Sequence, residues 1–205
     1  RTIIENNLTV RLRDLIDYST KIYLEQGVRQ LNAKVSSDLL IFLRERMKNI
    51  LKEKKFRTDI IEASISSHLS DNFLELAKKT YIMNKFISKD LGKNALSTYK
   101  RASNILGQEK PISRSGPDAV LFKYEEEKEL FERINSIRKS FTLKEDKKNY
   151  EDHLRLLSET KLSTDKFFDN VKVNDENRDL KNNRLELLQI LCSTFNSFVD
   201  FSKLE

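Results

Sequence analysis

The chain has 205 residues, with four glycines, two prolines, one cysteine and no tryptophan. So few chain breakers and cysteines exclude collagen-like, disulfide-scaffold and turn-rich all-β proteins. Charged residues make up 34% and hydrophobic residues 38%, which is typical of an amphipathic helical protein with a buried core. The formal net charge is +6, and the basic excess lies in residues 1–110. Such an excess indicates either a surface that binds a polyanion or ordinary solvated helices.

Helical periodicity runs through the first half of the chain. The predicted amphipathic helices span residues 8–24, 39–57, 71–88 and 91–106. Ser36, Ser37 and Asp38 are candidate N-cap residues for the second of these helices. A further short helix is predicted to begin at Thr58, directly after a basic run that suits the end of a helix.

Glycines and prolines between Gly107 and Pro117 predict the one long loop of the chain. Beyond it the predicted helices span 124–142, 145–160, 163–171 and 178–201. With no convincing strand pattern, the fold class is all-α, with short connections between neighbouring helices. No apolar run approaches the ~20 residues of a membrane span, so no membrane association is expected.

The sequence offers little catalytic chemistry. His68 and His153 are far apart, and neither belongs to a His-x-x-x-His pair, so both are expected at surfaces or helix ends without a metal. The run Glu125 to Glu127 is interpreted as favourable charge at a helix start that also aids solubility. Cys192 lies in an apolar run and should pack as a small hydrophobe, which suits a reducing compartment. No catalytic residue is predicted.

The predicted helix over 91–106 carries an unusual outward face. At 100° per residue Lys93, Lys100 and Asn104 fall together, opposite the apolar residues, with Arg101 at their flank. Cations grip phosphates, while arginine and asparagine read base edges. The alternative is a plain solvated face.

Two arginines are predicted to lie within apolar stripes. Arg46 is seven residues after Leu39 and four before Ile50, and Arg184 is four from both Leu180 and Leu188. A buried guanidinium has to be paired, so one interpretation is a structural ion pair. The other is an arginine at the edge of a groove that receives RNA.

Several segments carry a family resemblance, and they follow one another in order along nearly the whole chain. The segments are Arg1 to Leu8 with Leu12 to Ile16, Asp38 to Leu51 with Arg57 to Ala63, Tyr99 to Leu106, and Phe167 to Asn174 with Asn183 to Leu188 and Asp200 to Ser202. Together they resemble the C-terminal region of the β subunit of bacterial heterotetrameric glycyl-tRNA synthetase. The segments Tyr99 to Leu106 and Phe167 to Asn174 are the most specific.

This resemblance implies a class I-like (DALR-type) anticodon-binding domain, an all-helical bundle of the type shared with arginyl-tRNA synthetase. Residues 1–33 would be the end of a preceding domain with a linker helix, and residues 34–205 the anticodon-binding domain of a longer protein. Basic helices 39–57 and 91–106 would flank a groove for the anticodon arm. Lys93, Lys100 and Lys172 would neutralise phosphates. Arg101, Asn104 and Asn174 would contact exposed bases, with Arg46 and Arg184 as further RNA-binding candidates.

The resemblance also implies partners and cofactors. The partners would be tRNA-Gly and the synthetase α subunit, in a cytoplasmic α2β2 enzyme that glycylates tRNA-Gly. ATP and Mg²⁺ would be used by the α subunit, so this chain would hold no cofactor and no metal. A different class of function also fits amphipathic helices. In that alternative the chain is a subunit-assembly module that does not touch tRNA.

Overall fold

The computed structural model describes residues 1–27, 32, 34–66, 71–111, 116–143 and 149–205. Across these residues all regular structure is helical and no β-strand occurs, which confirms the all-α class. The chain divides into two compact units, one of residues 1–84 with Glu205 and one of residues 85–204.

The first unit packs its helices around one apolar core. Its helices are α1 (Thr2–Glu5), α2 (Leu12–Glu25), α3 (Val35–Glu53), α4 (Thr58–Ser66) and most of α5 (Phe73–Ile87). Leu12 and Ile16 of α2 share a buried cluster with Leu40, Met47 and Leu51 of α3. The three α3 residues recur at helical spacing, so α3 buries one stripe and exposes the remainder.

Two predictions concern this first unit. The structure divides into compact units after residue 84, and α2 shares its core with α3. The predicted domain boundary between residues 33 and 34 stays a prediction. The origin of residues 1–33 as the end of a preceding domain stays a prediction. The proposed N-cap was wrong, since α3 already begins at Val35 and Asp38 lies inside its first turn.

The second unit is a bundle centred on its last long helix. Its helices are α6 (Asp90–Gln108), α7 (Glu125–Leu143), α8 (Tyr150–Ser158), α9 (Thr160–Asn170) and α10 (Arg178–Asn196), with 3₁₀ turns at Ala119–Leu121 and Phe201–Lys203. The α10 helix packs against both α6 and α7, and α8 and α9 each contact α6 and α7 as well. Most residues of α10 are therefore buried, including Leu187, Leu188 and Phe195.

The end of α10 differs from the predicted end at residue 201. The helix stops at Asn196, whose side-chain oxygen accepts a hydrogen bond from the backbone N–H of Phe201 at 3.0 Å. The amide nitrogen of Asn196 donates to the Tyr99 hydroxyl at 3.2 Å. The Asn196 amide thus bonds both to the chain after α10 and to α6. Hydrophobic periodicity cannot detect such a polar contact. The Cys192 prediction is confirmed, since the thiol is buried and burial raises its pKa to about 12.

A buried ion pair joins α7 to α10. The Nε of Arg184 donates to Oε1 of Glu127 at 2.8 Å, and both side chains are only 1% exposed. Arg184 Nη1 also donates to the Lys172 carbonyl at 2.9 Å and to Oδ2 of Asp175 at 2.7 Å. Of the two interpretations of Arg184, the structure therefore supports the structural ion pair. Its Nε and Nη1 donate to protein groups, and its Nη2 is buried without a hydrogen-bond partner among the described residues. Its expected role as an RNA contact stays a prediction.

The same glutamate begins α7. Glu127 Oε2 accepts hydrogen bonds from the backbone N–H groups of Lys123 at 2.7 Å and Tyr124 at 2.9 Å. Those groups precede the helix and have no partner within it, so the carboxylate satisfies them as the glutamate of a capping box does. The interpretation of this acidic run as a solubility feature was wrong for Glu127, because the side chain is buried and fully used.

A glycine allows α5 and α6 to meet closely. A Cβ on Gly92 would lie 2.3 Å from the carbonyl oxygen of Phe86 and 2.5 Å from the Ile87 Cα, both backbone atoms that cannot swing away. Gly107, near the end of α6, has open space instead. The two glycines of one helix therefore have opposite tolerance for a side chain.

We expect Gly92→Ala to lower the free energy of unfolding by about 1–3 kcal/mol, because the methyl group forces two helices apart. Gly107→Ala is the matched control and should raise it by up to about 0.5 kcal/mol, since alanine restricts the unfolded chain. Urea denaturation followed by circular dichroism measures both variants. Equal effects of the two substitutions would contradict the close approach at Gly92.

We expect Arg184→Met to lower the free energy of unfolding by about 3–5 kcal/mol, because Glu127 is left buried without a counterion. Adding Glu127→Gln should recover at least about 1 kcal/mol relative to the sum of the single changes, since the charge is removed while an acceptor for the cap is kept. The control is the half-exposed Arg155 of α8, which pairs with Asp152 of the same helix and with Glu159 directly after it. Its change to methionine should alter stability by less than about 1 kcal/mol. Strictly additive effects at Arg184 and Glu127 would contradict the coupling.

Candidate nucleic-acid interface

The α6 helix has one buried and one exposed face, as its sequence predicts. Ala95, Tyr99, Ala102 and Leu106 are buried. Tyr99 packs against Phe195 of α10 and Phe201 in tilted ring contacts, at centroid distances of 6.0 and 5.5 Å. Burial raises the pKa of the Tyr99 hydroxyl. The tyrosine is thus a core residue that anchors α6, and it is not available to stack on a base.

The four predicted residues of the opposite face are all exposed: Lys93, Lys100, Arg101 and Asn104. Lys93 forms an ion pair with Asp90 of the same helix at 3.2 Å. Within the described part of the chain, the side chains of Lys100 and Asn104 have no hydrogen-bond or ion-pair partner. These two are therefore free to meet a ligand, whereas Lys93 is partly neutralised.

Arg101 is held against α9. Its guanidinium carbon lies 4.3 Å from the ring centroid of Phe168, which is the distance of a cation–π stack. Its Nη1 lies 3.6 Å from a carboxylate oxygen of Asp165, and its Nη2 lies 3.9 Å from one of Asp169. Both separations exceed a hydrogen bond, so these are loose ion pairs on a half-exposed arginine.

The loop after α9 continues this surface. Lys172 and Asn174 are exposed, as a binding role requires. The Lys172 carbonyl accepts from buried Arg184, which fixes the loop backbone. Asn174 lines a cavity of about 170 Å³ with Gln108, Val173 and Leu185, beside the ion pair of Glu109 and Lys181. The structure thus places Asn174 next to the end of α6.

Arg46 belongs to the first unit, on α3. The prediction that it lies within the apolar stripe was wrong, because the buried positions are Leu40, Met47 and Leu51 and the Arg46 side chain is exposed. Its expected role beside an RNA groove stays a prediction. The structure therefore gathers Lys93, Lys100, Arg101, Asn104, Lys172 and Asn174 on the second unit.

Sequence reasoning missed the α9 side of this surface. Asp165, Phe168 and Asp169 recur at positions that place them on one helix face, and Phe168 and Asp169 belong to a segment that carried the family resemblance. Their contact with Arg101 spans more than 60 residues of sequence, so no local pattern connects them.

The remaining predictions concern the two histidines, metal ligands and membrane-spanning helices. His68 lies outside the described residues. His153 was expected at a surface or helix end, but it is buried with its ring centroid 4.2 Å from that of Phe141. Among the residues that the structure describes, no group of three or more His, Cys, Asp or Glu side chains is arranged to hold a metal. None of the described helices is long and apolar enough to cross a membrane.

Comparison with known proteins gives this surface a context. Residues 95–201 match the DALR anticodon binding domain. The whole chain is 36% identical over 204 residues to the glycine–tRNA ligase beta subunit of Rickettsia africae (strain ESF-5) and 35% identical to that of Rickettsia prowazekii (strain Madrid E). The beta subunit from Rickettsia canadensis (strain McKiel) is 36% identical over 205 residues. Each match covers 100% of this chain and 29% of the relative, so the chain spans less than a third of these relatives' length.

The resemblance predicted from the sequence motifs is thereby confirmed. The matched range runs from the buried face of α6 to the turn that follows α10, and it includes every candidate contact of the second unit except Lys93. The chain belongs to the DALR anticodon-binding domain family.

Proposed function

We propose that this chain is the anticodon-binding module of a glycine–tRNA ligase beta subunit. The observation that carries the proposal is the two-faced α6 helix. Its inner face is locked into the bundle, and its outer face offers unpaired Lys100 and Asn104 with a stacked Arg101. The family membership supplies the kind of ligand, a tRNA anticodon.

The candidate contacts divide into two chemical classes. Lys93, Lys100 and Lys172 are mobile point charges suited to phosphates, which give affinity without sequence information. Arg101, Asn104 and Asn174 carry planar donor and acceptor groups suited to the edges of unstacked bases. Single-stranded loops are where proteins read RNA sequence, so an anticodon loop fits this combination.

The chemistry of the whole enzyme would lie elsewhere. We assign glycine activation, with its ATP and Mg²⁺, to a separate α subunit, and we expect neither cofactor to bind this chain. The enzyme would be a cytoplasmic α2β2 ligase that glycylates tRNA-Gly. In it this chain would contribute binding and discrimination, and no catalytic residue.

A second candidate function is subunit assembly without direct tRNA contact. The observation that favours it is a set of exposed apolar side chains on α2 and α3, among them Tyr18, Ile41 and Phe42, each more than half exposed. Such side chains are frequent at protein–protein interfaces. The two functions are compatible, because these residues belong to the first unit and the α6 surface belongs to the second.

The first prediction of this proposal concerns the anticodon. Glycine anticodons end in two cytosines, so replacing both should weaken binding to the chain by at least about 10-fold, as expected when base contacts are lost. Fluorescence anisotropy with labelled tRNA-Gly and the changed tRNA, at two salt concentrations, measures the ratio. Equal affinity for the two tRNAs, weakened by salt, would indicate that the chain contacts only the phosphate backbone of the tRNA. Absence of binding at low salt would favour assembly as the function.

The second prediction concerns Lys100. Replacing it with alanine should weaken all tRNAs alike and reduce the slope of log affinity against log salt by about 1, because one phosphate contact is lost. Lys128→Ala is the control, since Lys128 is an exposed lysine of α7 paired with Glu125. The measurement is a salt titration of tRNA-Gly binding for the three proteins. Identical slopes for wild type and Lys100→Ala would show that Lys100 does not contact a phosphate.

A further inference from the structure

We propose that Asp169, together with Arg101, reads the base edge of a cytosine in the anticodon loop. This inference rests on the proposed function and names the residue that discriminates. An aspartate is an unexpected member of an RNA-binding surface, because its charge repels phosphates. Its position beside Arg101 gives a reason for a carboxylate here, because it can act together with an arginine that reads a base.

The arginine is presented with its hydrogen-bonding edge available. The guanidinium is planar, and its five N–H donors lie in that plane. Stacking on Phe168 at 4.3 Å occupies one face of the plane and leaves the donors directed sideways. At 3.6 and 3.9 Å from the two aspartates, the terminal nitrogens make no direct hydrogen bond to them.

The two aspartates differ in how far they are already used. Asp165 accepts a hydrogen bond from the ammonium of Lys161 at 2.7 Å, and its side chain is 40% exposed. Asp169 is 70% exposed, and its one charged contact in the described part of the chain is the 3.9 Å approach of Arg101. Asp169 therefore has more free acceptor capacity than Asp165.

The donors of Arg101 and the acceptor of Asp169 lie side by side and match the hydrogen-bonding edge of cytosine. The Watson–Crick edge of cytosine presents two acceptors, O2 and N3, followed by the donor N4–H₂. Arg101 supplies donors to the first two, and Asp169 supplies an acceptor to the third. Carboxylates accept from cytosine N4 in protein–nucleic acid complexes. Uracil carries an oxygen in place of the amino group, and an ionised carboxylate cannot donate to it.

The test is Asp169→Asn, with Asp179→Asn as its matched control, because Asp179 is an exposed aspartate of α10 that does not pair with Arg101. Both changes keep the side-chain shape and remove one negative charge, but asparagine can donate as well as accept. For each protein, affinity is measured for the tRNA-Gly anticodon stem-loop with its two cytosines and for a stem-loop with uracils in their place. The readout is the ratio of the two affinities, from which a general change in charge repulsion cancels. Circular dichroism and melting curves confirm that the variants are folded.

Wild type should favour cytosine by at least about 5-fold, the ratio for Asp169→Asn should fall towards 1, and Asp179→Asn should keep the wild-type ratio. If Asp169→Asn keeps the wild-type ratio and both variants bind every stem-loop slightly more tightly, this inference is overturned. The proposed function would stay intact. Loss of the ratio in Asp179→Asn alone would overturn it as well. A wild-type protein that does not distinguish the two stem-loops would contradict the proposed function, and this inference with it.

Discussion

The second unit depends on one buried charge pair. Glu127 and Arg184 are almost fully removed from water, and each is costly to bury alone. Glu127 also begins α7, and Arg184 also holds the loop between α9 and α10 through the Lys172 carbonyl and Asp175. The start of α7, the loop after α9 and the middle of α10 therefore have to be in place together before these contacts can form. The pair specifies one arrangement of the bundle, which is a different contribution from net stability.

The buried contacts of the second unit fix the backbone that carries the candidate RNA surface. Lys172 and Asn174 project from the loop whose backbone Arg184 holds, and Lys100 and Arg101 directly follow buried Tyr99 on α6. The candidate contact side chains therefore lie next to side chains that are fixed by packing. A binding site built on such rigid elements holds its geometry better than one on a free loop. The amide pair between Asn183 and the backbone of Asp118 likewise ties the segment before α7 to α10.

Periodicity predicts most helices of this chain because each buries one apolar stripe in the core of its own unit. It locates α6 and α7 within two residues and divides the faces of α6 correctly. It fails where a single polar contact or a long-range partner decides the outcome. Asn196 ends α10 early, Arg46 points outward, and His153 is buried against an aromatic ring. The sequence also presents the cations of the site but not their acidic neighbours, because Asp165 and Asp169 meet Arg101 only after α6 and α9 pack together.

The stack of Arg101 on Phe168 has a consequence for the entropy of recognition. A free arginine side chain loses about 2 kcal/mol of rotamer freedom when a ligand fixes it. Here the aromatic ring and the flanking carboxylates already restrict the guanidinium in the unbound protein, so much of that loss occurs on folding. In the proposed complex, an incoming base would meet donors that are ordered in advance, and more of the contact energy would appear as affinity.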